Sequence, residues 1–85
     1  MNEEFDKAVA LTKTFSKRPS NDELLKLYAL YKQVTEGDNN EPRPGGFDFK
    51  AIAKYDAWVE LKGKSKEDAQ QEYINFVSSL SQNYA

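Results

Sequence analysis

Ser20-Asn21-Asp22-Glu23-Leu24-Leu25-Lys26-Leu27-Tyr28-Ala29-Leu30-Tyr31-Lys32-Gln33-Val34-Thr35-Glu36-Gly37 is the stretch on which the reading of this chain turns. Ser20 stands three residues before Glu23. At that spacing a hydroxyl caps the third helical N–H while the carboxylate returns to the cap's own N–H. Behind this start Leu24, Leu25, Leu27, Tyr28, Leu30, Tyr31 and Val34 recur with helical period. Gly37 suits the left-handed position just after the last turn, where a residue without Cβ avoids a steric cost.

The flanking sequence extends the pattern in both directions. Upstream, Phe5, Ala8, Val9 and Leu11 make one apolar face of a helix from Glu3 to about Phe15, opened by Asn2 and closed by Lys17, Arg18 and Pro19. Downstream, Gly37 to Gly46 holds two prolines and three glycines, which forbid regular structure and predict a turn-rich loop. A third helix is predicted from Phe49 or Lys50 to Lys62, with Ile52, Tyr55, Trp58, Val59 and Leu61 as its apolar members and Gly63 as its stop. Ser65 then caps a fourth, in which Ala69, Tyr73, Phe76, Val77, Leu80 and Tyr84 form a continuous apolar stripe. No segment alternates with a period of two, so the prediction is all-α, four helices and no sheet. Short links place neighbouring helices antiparallel, and the longer Gly37–Gly46 loop allows the second and third to run the same way.

Eighty-five residues make one domain, 1–85, with a modest core. With 39% hydrophobic and 31% charged residues the composition is that of a folded domain. There is no cysteine and no histidine, which removes disulfides, thiolate metal sites and the commonest nucleophile and base pairs. No metal or cofactor is expected. The acidic start at Asn2, Glu3 and Glu4 and the lack of a long apolar run predict a cytoplasmic chain, and a net charge of −2 argues against a nucleic-acid partner. Glu3 with Glu4 and Glu67 with Asp68 fall in first helical turns, where carboxylates favour the helix dipole. Asp38, Asn39, Asn40 and Glu41 lack the ligand spacing of a calcium loop.

Chemistry is concentrated on two helices. Tyr28, Tyr31 and Lys32 gather two rings and an ammonium on adjoining turns, a set suited to a nucleotide: a ring stacks on a purine, and a lysine meets phosphate oxygens. Lys54 and Trp58 form a similar pair on the third helix, with Tyr55 adjacent and Lys50 one turn earlier. Taken singly, each also reads as core aromatics beside solvated lysines, and Tyr73 within the apolar stripe also reads as core.

In order along the chain, Tyr28-Ala29-Leu30-Tyr31-Lys32-Gln33-Val34-Thr35-Glu36-Gly37-Asp38, Arg43-Pro44-Gly45, Phe47-Asp48-Phe49-Lys50, Lys54-Tyr55-Asp56-Ala57-Trp58, Leu61-Lys62-Gly63-Lys64-Ser65-Lys66-Glu67-Asp68-Ala69 and Glu72-Tyr73-Ile74 resemble the acyl-CoA-binding protein family. The resemblance implies an up-down-down-up four-helix bundle that binds medium- to long-chain fatty acyl-CoA as a monomeric intracellular carrier and pool former. It implies no reaction, and transient contact with acyl-CoA-using enzymes or membrane surfaces. By position, Tyr31 resembles the adenine-stacking ring. Tyr28, Lys32 and Lys54 resemble the groups that meet the ribose 3′-phosphate, and Tyr73 resembles a further headgroup contact. The same resemblance implies that Lys13 and Arg18 lie near the ligand's phosphates, and Leu25 and Phe49 near the acyl chain or pantetheine.

Three positions depart from the family pattern. Val9 replaces a small residue beside the ligand and predicts a pocket that is narrower or shifted there, with an effect on chain-length preference. Tyr55 replaces a frequent tryptophan and predicts altered packing. Ala51-Ile52 replaces a glycine and a lysine and predicts slightly weaker headgroup binding. Two other functions fit a small helical bundle: a protein-interaction module without acyl-CoA, and a thioesterase. The thioesterase lacks any recognisable nucleophile or base.

Overall fold

The computed structural model describes residues 2–84 and forms them into α1 (Glu3–Thr12), α2 (Asn21–Glu36), α3 (Phe49–Val59) and α4 (Lys66–Tyr84), with no strand among the described residues. Three caps are those the sequence predicts, and at α3 Asp48 Oδ1, which it did not single out, accepts from the Ala51 N–H at 3.0 Å. Asn2 Oδ1 accepts from the Phe5 N–H at 2.8 Å, and Ser65 Oγ accepts from the Asp68 N–H at 3.0 Å. At α2 the Ser20 hydroxyl accepts from Glu23 N–H at 3.1 Å while the Glu23 carboxylate accepts from Ser20 N–H at 2.8 Å. Those two bonds satisfy donors that a helix start otherwise leaves open. The Ser20 N–H, and then the Tyr84 hydroxyl that donates to the same carboxylate at 2.7 Å, hold the Glu23 carboxyl below its usual range.

Two helix ends differ from expectation. α1 stops at Thr12 and not near Phe15, because Lys13 and Thr14 bond three residues back to Ala10 and Leu11, and the Thr12 and Thr14 hydroxyls compete for the carbonyls of Val9 and Leu11. α3 stops at Val59 and not at Lys62. Leu61, Lys62 and Lys64 tighten into three-residue turns, and Gly63 at φ +90° hands its N–H to Asp38 Oδ1 at 2.9 Å. Gly37 is also off the expected left-handed helical conformation. Its φ of 81° and ψ of −150° lie in a region open essentially to glycine alone.

Long-range bonds fix the helix directions. Asn2 N–H reaches Gln70 Oε1 and Ser16 N–H reaches the Tyr84 carbonyl, so α1 and α4 run together. Tyr84 meets Glu23 while Gln33 meets the Lys64 carbonyl, so α2 runs against α4. Trp58 Nε1–H donates to the Gly37 carbonyl at 2.9 Å, joining the C-terminal ends of α2 and α3. The topology is therefore up-down-down-up. Among the helices, α2 packs on both α3 and α4, α1 packs on α4, and α3 has α2 alone as its neighbour.

The core is Phe5 and Ala8 of α1, Leu27, Leu30 and Val34 of α2, and Ala69, Tyr73, Val77 and Leu80 of α4. Each comes from the stripe its helix predicts. Trp58 is buried beside this cluster. Among the described residues one fully buried side chain is polar: Gln33, 0% exposed, whose Nε2 donates to Asp38 Oδ1 at 2.9 Å and to the Lys64 carbonyl at 2.8 Å. With Trp58 on Gly37 and Gly63 on Asp38, it ties the exits of α2 and α3 to the entry of α4. The bonds from the Gly63 N–H and then the Gln33 amide hold the Asp38 carboxyl below its usual range.

Candidate functional site

α2 supplies the middle of the site because its two faces divide: Leu27, Leu30 and Val34 go inward, leaving Tyr28, Tyr31 and Lys32 on the shoulder. Tyr31 is 40% exposed, yet it is not free-standing. Its ring lies 6.0 Å from Phe5, nearly parallel at 19°, and 6.5 Å from Tyr73, which itself lies 5.0 Å from Phe5. Three rings from α1, α2 and α4 thus hold one another, with Tyr31 outermost. Such pairs add about 0.5–1.5 kcal/mol each beyond area burial, enough to fix the Tyr31 plane before anything stacks on it.

Tyr73 is the innermost of the three, 4% exposed. Burial pushes its phenol pKa up, against a smaller opposing pull from the Thr12 hydroxyl. Its edge nevertheless lines a small groove of about 260 Å³ with Thr12, Phe15, Leu24, Tyr28 and Tyr31. Tyr73 is therefore core in its packing, with one edge on the groove.

Past Leu24 and Tyr28 that groove meets a larger one of about 670 Å³, lined by Arg18, Leu25, Tyr28, Phe49, Lys50, Ala53 and Lys54 among others. Three of its side chains are cationic and none is acidic. Lys54 Nζ sits 5.2 Å from the centre of the Tyr28 ring, which directs the ammonium along the groove wall. Arg18 is steadied by its bond to Asn21 Oδ1 at 3.1 Å. Leu25, Ala53 and Phe49 give the same groove an apolar side. It offers polyanion contacts and a hydrocarbon surface within one trough.

Lys32 is held differently. Its ammonium pairs with Glu36 one turn along α2 and lies 4.9 Å from the Trp58 ring centre. The Glu36 bond raises its pKa, burial opposes this, and the Glu36 charge with smaller effects of Tyr28 and Glu41 adds to the rise. It remains cationic, and a phosphate would have to draw it from a carboxylate. Lys13 is exposed at the end of α1 and lines neither groove.

The structure thus brings together Tyr28, Lys54, Arg18, Leu25 and Phe49, with Tyr31 and Tyr73 in the adjoining groove. It leaves Lys32 on its ion pair and Lys13 apart. Val9 packs against the core and lines neither groove. Sequence reasoning did not find Phe5 as the support of the ring stack, Ala53 as groove wall, or Glu36 as the partner of Lys32. Only the last had a local signal, the four-residue spacing of opposite charges on one helix.

Among the described residues no cluster of acidic side chains is arranged to hold a metal, and no helix is long and apolar enough to cross a membrane. The family model described as "Acyl CoA binding protein" matches residues 2–77. The chain is 52% identical over 85 residues to the acyl-CoA-binding protein homolog of Drosophila melanogaster, covering 100% of this chain and 99% of that one. It is 55% identical over 80 residues to acyl-CoA-binding protein homolog 1 of Caenorhabditis elegans, covering 94% and 93%. Among solved structures, Oryza sativa acyl-CoA-binding protein 2 superposes with a TM-score of 0.90 at 43% identity, covering 95% of this chain and 90% of that one. The solution structure of the yeast protein gives 0.79 at 46% identity over 99% and 98%.

Proposed function

The chain belongs to the acyl-CoA-binding protein family and binds fatty acyl-CoA as a carrier; from that premise we propose that the ester lies with its adenine on Tyr31, its 3′-phosphate among Tyr28, Lys54 and Lys32, and its tail against Leu25 and Phe49. The observation that carries this reading is the half-exposed Tyr31, backed by Phe5 and Tyr73, in the small groove that adjoins the one whose cations are Arg18, Lys50 and Lys54. A ring already fixed in its plane stacks on a base without ordering cost. Charge-assisted bonds to phosphate, about 1.5–3 kcal/mol each, select a CoA ester over a free fatty acid. Each buried methylene adds about 0.8 kcal/mol, so affinity favours medium to long chains. No group in the groove is a nucleophile beside a base, and the ester is carried unchanged, by a monomer in the cytoplasm.

Tyr31→Asn is the direct test. Loss of a base-stacking ring is expected to weaken palmitoyl-CoA binding in calorimetry by about 1–3 kcal/mol. Far-UV circular dichroism is expected to stay unchanged, and a thiol reagent added to the wild-type titration to detect no free CoA. Unfolding of the variant would make the ring structural and remove the adenine assignment.

Delivery needs an acceptor surface. Phe47 and Phe49, 88% and 70% exposed, stand edge-on at 6.3 Å beside the groove of Arg18, Lys50 and Lys54. Apolar rings flanked by cations match an anionic membrane better than they match water. Phe47→Ser is expected to reduce co-sedimentation with phosphatidylserine-containing vesicles and to leave palmitoyl-CoA affinity in solution unchanged. Undiminished vesicle binding would shift delivery to contact with acyl-CoA-using enzymes.

A further inference from the structure

Leu25 of α2 and Ala53 of α3 form a wall shared by two grooves that lie side by side. One is the cation-lined groove described above. The other, of about 470 Å³, is bordered by α2, α3 and α4, with Ala57 and Leu61 extending its apolar floor. Ala53 and Ala57 stand four residues apart on α3, and two small side chains at that spacing leave a dip in a helix surface. Arg18, Tyr28, Lys50 and Lys54 line the first groove and not the second. The second is therefore a surface that the headgroup assignment does not use.

The two grooves also differ in sign. The first has three cations and no carboxylate, whereas the rim of the second carries Asp22, Asp56, Glu60 and Glu72 against the single ammonium of Lys26. That ammonium lies 4.4 Å from the centre of the Phe76 ring. Asp56 pairs with Arg43 and Glu72 with Lys64. Asp22 and Glu60 are exposed and stand in no ion pair among the described residues. Carboxylates grouped round a dip repel one another and any anion that approaches, and a cation placed among them relieves that repulsion. Phosphates, whether of CoA, of a lipid headgroup or of a nucleic acid, are turned away. The chemistry that matches the groove is apolar at the centre and cationic at the edges.

We propose that the second groove docks a basic amphipathic helix of a partner protein. Apolar side chains at three- and four-residue spacing lie over Ala53 and Ala57, and lysine or arginine side chains beside them meet Asp22 and Glu60. The floor supplies the desolvated centre of the contact, and the rim supplies steering and selects the sign of the partner. Docking engages none of the cations assigned to the CoA phosphates, so it does not require the carrier to be empty.

The test titrates ligand-free protein with a synthetic helical peptide of leucine and lysine in amphipathic register, followed by amide chemical shifts. Shifts are expected at Lys26, Ala57 and Glu60, with Tyr31, Phe47 and Lys50 unmoved. A peptide with glutamate in place of lysine, and one with serine in place of leucine, should both fail to bind. The double variant Asp22→Asn with Glu60→Gln is expected to bind the leucine–lysine peptide about fivefold or more weakly, while Glu3→Gln with Glu4→Gln, which removes the same charge from α1, stays within about twofold of wild type. Equal losses in the two double variants would reduce the effect to overall charge and overturn the proposal, as would an absence of binding or shifts centred on Phe47 to Lys54. Tight binding of the lysine–serine peptide would remove the apolar floor from the contact and overturn it too. Shifts at Ala57 and Glu60 produced by phosphatidylserine vesicles would reassign the groove to a membrane. Palmitoyl-CoA affinity of the Asp22→Asn, Glu60→Gln protein is expected to match wild type, and the carrier function stands or falls on that separate titration.

Discussion

Replacing Lys54 by alanine is expected to weaken palmitoyl-CoA binding by about 1.5–3 kcal/mol, roughly ten- to a hundredfold, while the dephospho ester loses little. Lys54 is the cleaner of the two lysine probes. Among the described residues its ammonium engages the face of Tyr28, at 5.2 Å from the ring centre. A cation–π contact at an exposed site is worth about 0.5–1 kcal/mol, so its removal leaves the fold intact and the loss reads on the ligand. Lys32 gives a mixed answer, because its ammonium is already on Glu36 and Trp58 and its removal also frees a carboxylate. The comparison of the two esters by calorimetry decides the assignment. Equal losses for both would mean that Lys54 does not meet the 3′-phosphate.

The second large effect is on stability. Trp58→Ala is expected to cost about 3–5 kcal/mol in chemical denaturation, a sizeable share of the roughly 5–15 kcal/mol that holds a small domain folded. Trp58 is 2% exposed and its indole N–H donates to the Gly37 carbonyl, so truncation opens a cavity and orphans an acceptor together. Trp58→Phe separates these contributions. It keeps most of the volume and forfeits the hydrogen bond, and should cost about 1–2 kcal/mol. A Trp58→Ala protein as stable as wild type would show that α3 does not depend on this contact.

The fold was legible where the physics is local. Ser20 with Glu23 makes a capping box from two residues three apart, and the α4 stripe from Ala69 to Leu80 repeats one period. Helix ends were less legible because competing bonds decide them. Nothing near Lys62 says that Asp38, 25 residues earlier, will take the Gly63 N–H and end the turn. Gln33 could not be read as buried, since its amide partners, Asp38 and the Lys64 carbonyl, are in place only once the bundle has closed.

The site divides the same way. Tyr28, Tyr31 and Lys32 stand out at helical spacing, and the resemblance gave each a role. What Tyr31 rests on, however, is a ring from α1 and another from α4. That Leu25 and Ala53 line one groove likewise depends on α2 and α3 packing together. Relations between distant segments are a property of the packed bundle, and no periodicity announces them.

Among the described helices α3 leans on a single neighbour, α2, and the cation-lined groove runs along the seam between those two. An ester seated in that seam, as proposed, would press on both walls at once. The passenger would then act as a rivet for the vehicle, and a loaded molecule would resist opening by an amount that grows with the logarithm of ligand excess over its dissociation constant. Release would loosen the very segment that surrenders the cargo, tying the lifetime of the bound state to the firmness of one seam.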